Sequence, residues 1–172
     1  MKFKLVPEPP ADLGLVADAQ AAVPLVPGSE DDCCARLVRR VGFRSRDVAR
    51  TWLTFLRALE LATETPEGFK RLRTDPSPEY LREHLLAGVY GASDVVDALL
   101  AADGPLTVGD AFDGFADRVP DWERYRTTAW ESVWRERVGH LLGWFVLLDL
   151  AAERDGGYVA TDALRTHHDD DG

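Results

Sequence analysis

Between Ser45 and Glu60 the apolar residues Val48, Trp52, Phe55, Leu56 and Leu59 recur at i, i+4, i+7, i+8 and i+11. That is the period of one buried face of an α-helix. Upstream, Ala11 to Ala22 is a weaker helix, ended by the prolines of "VPLVPG". Ser29 to Asp32 is an acidic N-terminal signature, and the helix it starts runs to Val41, where Gly42 stops it. "LATETPEGFKRL" reads as two short strands around a "TPEG" turn. "DPSPEY", Asp75 to Tyr80, carries two prolines and reads as a linker. Beyond it, Ser93 to Ala102 and Thr107 to Arg118 are predicted helices, and Trp122 to Asp149 is one long helix or two. "LAAERDGGYVAT" is a second hairpin, turning at Asp155-Gly156-Gly157.

The order helix, helix, helix, hairpin therefore occurs twice, and both hairpins follow similar words, "FLRALELATETPEGFKRL" and "FVLLDLAAERDGGYVAT". In this order each half resembles the winged helix-turn-helix family, over about 60 residues of each half. The resemblance implies a mainly α fold with small β-hairpin wings (α+β), built as two tandem winged helix-turn-helix units. The expected organisation is an extended segment at 1–10, a first unit at 11–74, a linker at 75–80, a second unit at 81–162 and a disordered acidic tail at 163–172. A single helical bundle with a decorative hairpin is the competing architecture.

Composition narrows the class. With 45% hydrophobic residues over 172 positions the chain can bury a real core, which excludes disorder throughout. Pro7, Pro9 and Pro10 break any signal-peptide core, and the longest apolar run, Leu141 to Leu148, is far short of the roughly 20 residues of a membrane helix. A cytoplasmic location is expected. Thirty acids face twenty bases, only three of them lysines, for a net charge of −10. This Lys-poor, acidic composition resembles that of proteins from salt-loving archaea. In molar salt the Debye length is about 3 Å, so distant acids hardly repel an anionic partner.

Against that acidic background, Arg36 to Arg50 holds six arginines and one acid. Arg36 to Arg73 carries ten basic residues and four acids. On the third helix Arg46, Arg50 and Arg57 fall within about 40° of one another, opposite the apolar stripe, with Thr54 on their flank. The winged-helix resemblance makes this the recognition helix, which such domains lay in the DNA major groove. An Arg fork can bond two acceptors of guanine or clamp a phosphate. Arg36, Arg39, Arg40 and Arg44, before the helix, and Lys70 and Arg71 on the wing, are the expected phosphate contacts, with Arg73 extending their face. The alternative is that these arginines only pair with neighbouring acids, Asp32 with Arg36 and Glu60 with Arg57, or face water.

The second unit differs. Trp130, Trp134, Val138, Leu141, Phe145 and Leu148 make its last helix apolar over much of its surface, while Gly139 and Gly143 would admit a close neighbour. It is read as core or as a homodimer surface carried by Trp130, Trp134 and Phe145. Cys33 and Cys34 are expected as buried, reduced packing residues. His84 and His140 stand alone. With no phosphate-binding Gly loop, nucleophile elbow or opposed carboxylates, no catalysis, metal or cofactor is expected. The sequence thus points to a protein that binds double-stranded DNA, as a transcription regulator, or alternatively to a non-catalytic adaptor that docks proteins through its winged helices.

Overall fold

The computed structural model describes residues 3, 6–126 and 128–171 and divides into two units, Met1–Tyr90 and Gly91–Gly172. In the first, α1 (Gly14–Ala22), α2 (Glu30–Val41) and α3 (Arg46–Ala58) precede a hairpin of β1 (Ala62–Thr65) and β2 (Gly68–Arg71), and α4 (Pro78–Gly88) follows. In the second, α5 (Ala92–Ala101), α6 (Val108–Phe115), a 3₁₀ turn (Ala116–Arg118), α7 (Asp121–Arg126) and α8 (Trp130–Leu147) precede β3 (Ala151–Arg154) and β4 (Gly157–Ala160). The chain closes with α9 (Asp162–Asp171).

Local chemistry explains where the helices begin and end. Ser29 Oγ accepts from the Asp32 N–H at 3.1 Å, and Glu30, Asp31 and Asp32 sit in the first turn of α2, where the helix dipole favours negative charge. Gly42 takes the left-handed conformation, φ 91°, that closes α2, and Ser45 caps α3 from the Val48 N–H at 3.2 Å. Ser77 and Thr107 cap α4 and α6 in the same way.

The two units repeat more than their element order. Glu60 and Asp149 both follow the helix that precedes the wing of their unit, with positive φ, 57° and 60°. The next N–H returns to that helix, Leu61 to the Leu56 carbonyl at 2.9 Å and Leu150 to the Phe145 carbonyl at 2.8 Å. A third, one-residue strand then joins each wing: Gly28 bridges Phe69, and Leu106 bridges Tyr158. These bridges complete the small sheet of a winged helix between its first and second helices. An L-residue in the left-handed region is strained. Asp149→Gly is therefore expected to raise the stability of the protein by about 0.5–1 kcal/mol, read by thermal denaturation. A loss would mean that the Asp149 carboxylate contributes more than its backbone strain costs.

Each unit has its own core. In the first, Leu37, Trp52, Phe55, Leu56, Leu61, Leu81 and Leu85 are buried. In the second, Phe112, Phe115, Trp134, Leu142, Phe145 and Leu164 are buried. Cys33 and Cys34 are buried and free, and burial pushes both thiols up from their ordinary pKa, which keeps them protonated and inert. On α3 the buried face is set by Ala49, Trp52, Leu53, Phe55 and Leu56, whereas Val48 is only half-buried.

Several boundaries differ from expectation. The linker expected at 75–80 is the start of α4, because Pro78 occupies the first helical turn behind the Ser77 cap; residues 81–90 belong to the first unit, which ends at Tyr90. Gly88 of α4 packs against Ala58 of α3. The tail expected to be disordered is α9, anchored by fully buried Leu164; Gly172 lies outside the described residues. Trp122 to Asp149 resolves into two helices, α7 and α8, with the strand of the second wing starting at Ala151. In the extended segment at 1–10, Phe3 bridges Val89, and residues 6–10 carry no regular structure. Residues 1, 2, 4 and 5 lie outside the described residues.

Candidate nucleic-acid interface

Helices α2 and α3, joined by the four residues Gly42 to Ser45, form the helix-turn-helix of the first unit. Arg39, Arg40 and Arg44 are exposed around this turn, and among the described residues none of them has an ion-pair partner. Arg46 and Arg50 project from the outer face of α3, with side chains 61% and 65% exposed. Thr54, further along that face, is half-buried.

The arginines of α3 are not free. Arg46 bonds Asp31, and Arg50 Nε lies 3.0 Å from Glu30 Oε1. Both acids are in the first turn of α2, which α3 crosses. The neighbours expected from sequence, Asp32 for Arg36 and Glu60 for Arg57, are not the partners found. Arg36 instead donates from Nε to the Ala22 carbonyl at 2.8 Å, which satisfies an orphan group at the end of α1. This ties Arg36 by its Nε to the end of α1, and its side chain is half-buried.

Arg57 also leaves the row. Its side chain is only 25% exposed, lies 3.0 Å from Glu64 on β1, and sits beside the rings of Phe3 and Phe69 with centroids 5.2 and 5.3 Å away. The residue joins the end of the recognition helix to both wing strands and to the N-terminal segment. It lines a cavity of about 570 Å³ with Phe3, Glu60, Glu64, Tyr80 and His84. The Tyr80 and His84 rings stack there at 3.8 Å, and His84 Nε2 faces Glu60 at 3.2 Å. Burial, with Glu60 nearby, raises the pKa of the Tyr80 phenol.

On the wing Lys70 and Arg71 are both half-buried, and the Arg71 Nε is enclosed without a hydrogen-bond partner among the described residues. Arg73, beyond the strand, is exposed. The structure brings Arg39, Arg40, Arg44, Arg46 and Arg50 together on one helix-turn-helix. It engages Arg36 and Arg57 in contacts within the unit, with the Ala22 carbonyl and with Glu64. Sequence spacing missed Glu30 and Asp31 as partners, because their acids already had a sufficient explanation in the helix dipole.

The corresponding helix of the second unit presents different chemistry. Trp134 and Phe145 are 2% and 0% exposed, and Phe115 lies 5.4 Å from Trp134. Trp130 packs on Phe112 and beneath the Arg124 guanidinium. Trp134 and Phe145 are therefore core of this unit and do not present the expected homodimer surface, while Trp130 is half-buried against Phe112 of α6. The Cβ of a residue replacing Gly139 would meet only Val108, at ordinary contact distance. His140 lies 3.9 Å from Glu136, and among the described residues no group of three His, Cys, Asp or Glu side chains is placed to hold a metal. All of the net charge of −10 resides in Gly91–Gly172; the first unit has thirteen acids and thirteen bases.

Two helix-turn-helix units, each followed by an antiparallel wing and each closed by a one-residue third strand, define a tandem winged-helix protein. A family model described as the halobacterial double winged helix domain matches residues 1–165, and the chain belongs to that family. No curated protein and no solved structure matches it. Among the described residues no helix is long and apolar enough to cross a membrane.

Proposed function

We propose that the first unit binds double-stranded DNA, with α3 in the major groove and the turn before it along one strand, and that the protein regulates transcription. The observation carrying this reading is the arginine cluster Arg39, Arg40, Arg44, Arg46 and Arg50, concentrated on the helix-turn-helix of a unit with no net charge. Exposed ion pairs such as Arg46–Asp31 and Arg50–Glu30 are each worth only about 0–1 kcal/mol, so DNA can displace the acids. Arg50 and Thr54 stand one turn apart for base contact, and the remaining arginines serve phosphates. On this reading the protein is non-catalytic and needs no cofactor, and the acidic second unit does not touch DNA.

Charge reversal tests the assignment. Arg46→Glu with Arg50→Glu is expected to weaken binding of a duplex by at least about 100-fold, from about 1–3 kcal/mol per lost contact. Fluorescence anisotropy reads the affinity, and circular dichroism checks the fold. Binding unchanged by both substitutions would remove α3 from the interface. The adaptor reading draws support from a separate observation: Trp122 and Tyr125 on α7 are 55% and 89% exposed, with Val133 also exposed. Aromatic residues of this kind suit a protein interface, and an adaptor would leave duplex DNA unbound while retaining these side chains for a partner.

A further inference from the structure

We infer that Glu30 and Asp31 restrain sequence-independent binding at the DNA interface by competing with phosphate for Arg50 and Arg46. The inference rests on the reading of α3 as the DNA-binding helix. Both residues belong to the first turn of α2, whose backbone the Ser29 cap closes through the Asp32 N–H, so the carboxylates are carried on a helix and not on a loop. Each meets one guanidinium of the recognition helix. A phosphate of arbitrary sequence offers those guanidiniums what the carboxylates already supply, an anionic oxygen pair, and must also approach two fixed negative charges. A guanine edge offers a bidentate, neutral acceptor set that tolerates a nearby acid. The acids therefore penalise backbone contact more than base contact, and they hold the Arg forks in a defined orientation before DNA arrives.

Salt gives the device a second property. Both arginines are more than half exposed, as is Asp31 at 73%, while Glu30 is 39% exposed. Salt screens the two pairs and the repulsion between the acids and DNA along with the attraction of phosphates. Removing the acids should thus matter most in dilute salt and little near molar salt.

The test is anisotropy of the full chain with a mixed-sequence duplex from about 0.1 to 2 M KCl. It compares wild type, the Glu30→Gln, Asp31→Asn double variant, and an Asp32→Asn control. Asp32 lies in the same helical turn, but no ion pair joins it to α3 among the described residues. The double variant should bind about tenfold more tightly than wild type in dilute salt, converging with it above about 1 M, while Asp32→Asn changes affinity by less than about twofold. If wild type binds and the double variant gains nothing, or the control gains as much, the competition is overturned and the DNA reading stands. If no form binds at any salt while circular dichroism shows all three folded, the DNA reading fails and the competition fails with it.

Discussion

Phe145→Ala is expected to destabilise the second unit by about 3–5 kcal/mol, the range for emptying the site of a fully buried aromatic ring. Phe145 has no exposed surface, and the turn that follows, in which Leu150 N–H bonds the Phe145 backbone carbonyl, sits on the same buried segment. The loss should be independent of protein concentration. A dimer-surface residue would instead show a loss that shrinks on dilution, since only the wild type would then lose the stabilisation that association supplies. Chemical denaturation at two protein concentrations separated by about 50-fold distinguishes the two. A midpoint shift on dilution confined to wild type would restore the interface reading of α8.

Gly68→Ala carries the second large effect, about 3 kcal/mol or more, centred on the wing. Gly68 has φ 133°, a conformation that side chains rarely adopt, and a Cβ there would lie 2.8 Å from the Gly28 carbonyl carbon and closer still to its oxygen. Neither atom can yield, because Gly28 and Phe69 exchange backbone hydrogen bonds of 2.9 and 2.8 Å. The alanine must therefore strain φ and break the third-strand bridge together. Gly157 opens the matching strand of the second unit, where a Cβ would likewise crowd Pro105 and Leu106 of the third-strand bridge. Hydrogen exchange should show the Phe69 and Gly28 amides losing protection in the variant. Retained protection at both would place the Gly68 side-chain position in open space.

The amphipathic helices and both hairpins were legible because their signals are local. The α3 stripe, the Ser29 and Ser45 caps, the Gly42 stop and the Asp155-Gly156 turn each need only a few neighbouring residues. Helix α4 was missed because two prolines in "DPSPEY" were read as one linker. Pro78 behind Ser77 is equally a helix start, and Leu81 with Leu85 supplies the buried face. The acidic α9 was missed because one apolar residue, Leu164, anchors it, and a single Leu carries no period. The bridges of Gly28 and Leu106 involve one residue each and could only be seen in three dimensions.

At the candidate interface, sequence located the arginines but not their partners. Helical geometry correctly placed Arg46 and Arg50 on the outer face of α3. It also placed Arg57 there, yet Phe3, Phe69 and Glu64 come from three other segments and draw that side chain inward. Pairings such as Arg50 with Glu30 depend on how α2 and α3 cross, which no i,i+4 rule contains. For α8 the apolar pattern fits core and interface alike; the packing of Phe115 of α6 on Trp134, and the full burial of Phe145, are visible only in three dimensions.

The central claim is that the first unit binds duplex DNA through the arginines of its helix-turn-helix. The most direct measurement is the affinity of the full wild-type chain for a labelled duplex as KCl rises from about 0.1 to 1 M, with circular dichroism at each salt. Engagement of phosphates by Arg39, Arg40, Arg44 and Arg46 predicts a linear fall of log affinity with log salt, with a slope of about −3 to −4. A folded protein that binds no duplex at the lowest salt, or binds with no salt dependence, would contradict the account.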